Sequence, residues 1–271
     1  VKPTLITKAL ARTDESAQAK KGINFMKRIL FIVVTLISCV APLLAQESNS
    51  PKPDPQAYEL LQRAQSVRET FPANFAGFKA ELVCNDNGQQ AIGVLDYTPE
   101  TGAKITINGL SEEATGWVKQ QLNSLLSHRR ASDFAKGEGR HPLSLPPDDH
   151  SPLGRRVMVN DKLKSSYRVR NGQTTEVDRT MGDRIVVTIL STLPTGKGKF
   201  LPQHFVVNNF DVKTNQLLRT EMFTDEFAQL GNVWLPASRR VVFAEDGKLT
   251  ARVITLRNPQ LHQPQETATA R

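Results

Sequence analysis

Most of the chain beyond Gly77 consists of short runs in which apolar and polar residues alternate, divided by tight turn signals, and that pattern leaves few folds open. Phe78, Ala80, Leu82 and Cys84 alternate with Lys79, Glu81 and Val83, and residues 85–88 supply a turn. A period of two puts one set of side chains on one face of a strand. Strands are expected likewise over 91–97, 104–107, 156–160, 167–170, 175–180, 183–193, 203–212, 217–227, 233–244 and 248–256. Asn171-Gly172 lies between two of these runs and is a hairpin signal, since both residues accept the positive φ of a type I′ turn. Parallel neighbours need long crossovers, so short turns mean antiparallel pairing. A sheet of about ten such strands twists and curls rather than staying flat.

Two helices are expected, both early. Asp54 and Pro55 open the first as N-cap and first helical residue. Leu60, Ala64, Val67 and Phe71 recur at helical spacing until Pro72 ends it. Ser111 caps the second, which runs through Glu112 and Glu113 to about Arg130. Ala114, Val118, Leu122 and Leu125 form its inward stripe, widened by Trp117 and Leu126. Residues 132–154, broken by prolines and glycines, form a long excursion. The fold class is α+β: a mainly antiparallel, curved, half-barrel-like sheet with two helices near the N-terminus of the mature domain, on its concave face. One domain is expected over residues 55–257, with a flexible tail over 258–271.

The N-terminal region carries an export signal. Met26-Lys27-Arg28 is a basic start, Ile29 to Val40 is almost wholly apolar, and Ala45 offers a small residue for cleavage. The apolar run is short of the ~20 residues that span a bilayer. Because the signal starts at Met26, residues 1–25 read as an over-extended N-terminus, and 46–54 as a linker. Cys39, after Leu36-Ile37-Ser38, is an alternative lipidation site, the one route by which a membrane anchor is expected. Removing residues 1–45 takes seven Lys+Arg and two Asp+Glu from totals of 35 and 27, leaving 28 against 25. That small excess gives no basic footprint for nucleic acid. The 226 residues left retain Cys84 alone, so no intramolecular disulfide is expected, and the thiol reads as a buried strand residue.

No pattern in the chain assigns chemistry. His141, His150, Asp148 and Asp149 share the long excursion without any recognised metal-ligand spacing, and read as a solvated loop. His128-Arg129-Arg130 could hold an anion, but the plainer reading is a helix end complementing its dipole. His204 reads as a half-buried strand histidine and Asp225-Glu226 as an exposed polar face. Gly196-Lys197-Gly198-Lys199 lacks the first glycine of a phosphate loop and reads as a turn. Nucleophile elbows, paired zinc histidines and cysteine clusters are absent, so no catalytic residue, metal ligand or cofactor is expected.

Several segments in order resemble the bacterial family called domain of unknown function 3386. They are Gly116-Trp117-Val118 through His128-Arg129-Arg130, Tyr167-Arg168-Val169, Val177-Asp178-Arg179-Thr180-Met181-Gly182, and Asp225 to Gly231 with Trp234-Leu235-Pro236. The resemblance implies no activity. More loosely, Gly231 to Pro236 between two strands is similar to lipoprotein-carrier-type half-barrels, which hold an acyl chain against helices. The expectation is a non-enzymatic envelope protein, in the periplasm or cell envelope, binding a lipid, lipoprotein or other apolar ligand in a curved-sheet groove lined by Phe78-Ala80-Leu82 and Val186-Thr188-Leu190. Two alternatives stand beside it: a structural or interaction domain with a filled core, and a hydrolase built from dispersed residues.

Overall fold

The computed structural model describes residues 53–263 apart from Asp246. The expected signal, Ala45, Cys39 and residues 1–25 lie outside that range, as does most of the linker. In chain order the elements are α1 (Pro55–Ser66), β1 (Phe78–Asp86), β2 (Gln89–Thr98), β3 (Gly102–Ile107) and α2 (Glu112–Ser127). After a short 3-10 turn at Glu138–Arg140 come β4 (Leu143–Ser144), β5 (Arg155–Val159), β6 (Ser166–Arg170), β7 (Gln173–Met181) and β8 (Asp183–Gly196). The set closes with β9 (Lys199–Phe210), β10 (Leu217–Leu230), β11 (Val233–Glu245) and β12 (Lys248–Leu261).

All twelve strands form one antiparallel sheet in the order β3-β2-β1-β12-β11-β10-β9-β8-β7-β6-β5-β4, curved and unclosed. The meander β4 to β12 runs in sequence order, and β1 joins it by pairing with β12. Asn171 and Gly172 take φ of 52° and 73°, the left-handed pair that a two-residue hairpin needs. The excursion supplies an edge strand: Leu143 and Ser144 pair with Val159 and Met158. β12 reaches Leu261 opposite Phe78, five residues beyond the end expected from alternation.

Both helices pack on the same, inner face, over opposite ends of the sheet. Asp54 caps α1 by accepting from the Gln56 and Ala57 amides at 2.9 and 3.3 Å. Ala57, Leu61 and Ala64 are its buried stripe, and they pack with Leu143, Val157, Val159, Tyr167 and Val169 of β4 to β6. Leu60, expected inward, is only partly buried. α1 also stops at Ser66 rather than at Phe71. The next residues leave as an extended strap: Phe200 donates to the Val67 carbonyl and Glu69 to the Phe200 carbonyl, while Phe71 donates to the Arg129 carbonyl.

α2 buries Ala114, Trp117, Val118, Leu122, Leu125 and Leu126, the face its periodicity predicts. This face covers Phe78, Ala80, Leu82 and Cys84 of β1 and the inward residues of β2 and β10 to β12. Cys84 is fully buried, and burial pushes its thiol pKa up to about 11, so it stays protonated and inert. Phe71, Phe75, Phe78 and Tyr97 form an aromatic group under the C-terminal end of α2.

Candidate functional site

The two cores leave a strip of the inner face between them. Register defines it: Val177 of β7 pairs with Val187 of β8, which pairs with Val207 of β9. Val177 packs against the α1 core and Val207 against the α2 core, whereas Val187 belongs to neither. Ile185 and Ile189 share its face by alternation, and Ile189 pairs with Phe205. All these side chains are half-buried. Ile185 to Ile189 spans about 13 Å along the strand.

The residues expected to line a groove do not lie on this strip. Phe78, Ala80 and Leu82 lie under α2 as solid core. Val186, Thr188 and Leu190 have the opposite parity from Val187 and stand on the other face, where Leu190 is 59% exposed although Val186 is buried. A one-residue slip flips a strand's whole set of side chains, and residues 185–190 carry apolar side chains at both parities, so alternation alone does not choose the inward set.

Cations edge the strip. At one end the strap brings Arg68 beside the end of α2, and Arg129 is only 3% exposed. The Arg129 guanidinium stands 4.7 Å from the Phe71 ring centroid and 5.6 Å from that of Phe227. Its Nε donates to the Glu69 carbonyl at 3.3 Å, while both terminal nitrogens are buried and unpartnered. Burial brings its pKa down to about 10, partly offset by Glu69 and reinforced by Arg68. Arg129, expected to complement the dipole at the end of α2, lies buried against the Phe71 and Phe227 rings.

His128 is exposed by area, though protein crowds around it. Burial holds its pKa below the ordinary histidine value, and Arg68, Arg239 and Arg179 add to the effect. These three arginines come from the strap, β11 and β7, on different sides of the strip.

The acidic groups nearby are engaged. Asp225 is 2% exposed, which overturns its reading as an exposed face, and accepts two hydrogen bonds from Arg239 at 2.7 and 2.6 Å. Arg239 also donates to the Gln121 carbonyl and amide oxygens, tying β11 to α2. Glu138 accepts from Tyr167 at 2.7 Å and Arg179 at 2.9 Å, and Tyr167 is hydrogen-bonded to Arg179 as well. The Glu69 carboxylate accepts from Thr195 at 2.7 Å. Asp225 and Arg129 carried readable signals: Asp225 shares strand parity with buried Phe223, and Arg129 continues the helical stripe from Leu122 and Leu126.

The excursion's candidate ligands do not converge. Asp149 pairs with buried Arg168 at 2.9 and 2.6 Å, His150 is fully solvated, and His141 accepts from the Arg140 Nε. Among the described residues no group of three or more His, Cys, Asp or Glu side chains is placed to hold a metal. Ser191 and His204 Nδ1 lie 2.6 Å apart, a nucleophile-and-base contact that sequence spacing did not reveal. Among the described residues no carboxylate bonds the other ring nitrogen to orient it.

The sequence profile of a protein family of unknown function, DUF3386, matches residues 52–261, the whole sheet and both helices. The chain belongs to the DUF3386 family. No curated protein matches it in sequence. Among solved structures, this DUF3386 chain is similar to a Vibrio parahaemolyticus domain described as that of an outer membrane lipoprotein-sorting protein. That match has 9% identity and a TM-score of 0.32, and covers 78% of this chain and 94% of that one. A DUF1329 family protein of Desulfovibrio piger matches with 11% identity and a TM-score of 0.30, over 78% and 93% of the two chains. The Pseudomonas aeruginosa MucA/MucB complex gives 11% identity and a TM-score of 0.19, over 74% and 93%. Likeness at this level assigns no ligand and no residue.

Proposed function

We propose that this DUF3386 protein is a non-enzymatic, exported binder of an apolar ligand, held along the inner-face strip of β7 to β9. One observation carries the reading. Val187 and its neighbours Ile185 and Ile189 form an apolar row on the side of the sheet that both helices cover elsewhere, yet they pack into neither core. A sheet face that is apolar and left between two flanking helices offers burial to a ligand chain, at about 25 cal/mol per Å² of apolar surface removed from water. The export signal places the protein in the periplasm or cell envelope on this reading, processed after Ala45 or anchored through Cys39.

Titration of purified, delipidated protein with an uncharged lipophilic fluorophore tests it. Saturable enhancement is expected, weakened by Val187→Glu, which puts a charge on the strip. A probe signal that does not saturate, or one that Val187→Glu leaves unchanged, contradicts the reading and leaves a plain structural domain.

A further inference from the structure

We propose that the strap end of this strip is a receptor for one anionic group, the carboxylate or phosphate of a single-chain amphiphile, held by Arg129, Arg68 and His128. The proposal rests on the groove reading and names the chemical class of ligand.

Arg129 is the starting point. A guanidinium carries five donors and cannot give up its charge at neutral pH. Burying it with only the Glu69 carbonyl as acceptor costs free energy that stacking on Phe71 and Phe227 only partly offsets. Its two terminal nitrogens are the natural fork for a carboxylate or phosphate. Arg68 adds a second incompletely satisfied guanidinium: one terminal nitrogen donates to Ser132 Oγ at 3.4 Å, and its Nε is buried without a partner.

Among the described residues the surrounding acids form no ion pair with these two, although the Glu69 carboxylate partly offsets the Arg129 charge through space. Asp225 is held by Arg239, Glu138 by Tyr167 and Arg179, and the Glu69 carboxylate takes the Thr195 hydroxyl. His128 precedes Arg129 at the end of α2, where its exposed ring offers an N–H. A positive, donor-rich end on an apolar strip matches a molecule with an anionic head and a hydrocarbon chain. Neutral lipids would leave the cations unpaired.

The test compares a fluorescent long-chain fatty acid, the matching fatty alcohol and inorganic phosphate on delipidated protein. The acid should bind about tenfold or more tightly than the alcohol, the equivalent of one charge-assisted hydrogen bond. Arg129→Gln combined with Arg68→Gln should bring the acid to the alcohol's affinity and leave the alcohol unchanged. His128→Gln, at an exposed position, should lower affinity for the acid alone and serves if the double variant does not fold.

Arg129→Met should melt at the same or a higher temperature than the ligand-free parent, because it removes a buried charge that lacks a partner. A fall in melting temperature would make Arg129 a structural residue and overturn its role. Equal binding of acid and alcohol overturns the anion receptor and leaves the groove standing. Failure of both probes overturns both. Phosphate that binds while the acid shows no preference over the alcohol assigns the cations to a free ion instead.

Discussion

Leu122 and Glu113 share α2 and differ in burial, so they should differ in what their loss costs. Leu122 is 1% exposed within the larger core, and Leu122→Ala should lower stability by roughly 2–5 kcal/mol. Glu113 reaches Arg252 at 2.9 Å from a largely solvated position, and Glu113→Ala should cost no more than about 1 kcal/mol. Equilibrium denaturant melts separate the two, and equal losses would contradict the packing of α2. His128 supplies a pH dependence whose sign is set by its lowered pKa. The unfolded chain takes up this proton near pH ~6.5, whereas the folded protein takes it up only at lower pH. Stability is therefore complete above that value and falls as pH drops through the window between the two. Melts at about pH 7 and pH 5 should show the parent losing stability relative to His128→Gln, since the shared carboxylates cancel in the comparison.

Between elements, the buried pair of Asp225 on β10 and Arg239 on β11 joins two strands to α2 through Gln121. Asp225→Ala strands a buried guanidinium and should cost about 3–5 kcal/mol, while replacing both residues with leucine should recover much of it. A double variant as unstable as the single one would contradict this account. The hairpins and α2 were legible in the sequence because local signals fix them: Asn-Gly turns, a Ser111 cap and one apolar stripe. Less legible were features set by partners distant in sequence. α1 ends at Ser66 because Val67 and Glu69 bond to Phe200, more than a hundred residues away. The inward face of β8 was not legible because Ile185, Val187 and Ile189 are no more apolar than Val186 and Leu190 on the other face. The excursion reads from sequence as a solvated loop, and its anchoring against β6 by the Asp149–Arg168 pair was not legible because the partners lie far apart in sequence.

At the scale of the molecule, the sheet is one continuous surface with a helix over each end and an apolar strip between. Sequence established the antiparallel, curved class through turn length and strand count, and the family through its ordered segments. It did not distinguish a filled face from an open strip, which depends on where two helices land. On the export reading, N-terminal sequencing of the secreted protein should find Gln46 first, and an acylated Cys39 would show the lipidated route instead. The central claim, that the strip holds a ligand, is met most directly by mass spectrometry of an organic extract of the natively purified protein. A single-chain acidic amphiphile, near stoichiometric with the parent and depleted from folded Val187→Glu, is the predicted result. An extract with no apolar compound, or the same yield from both proteins, would contradict it.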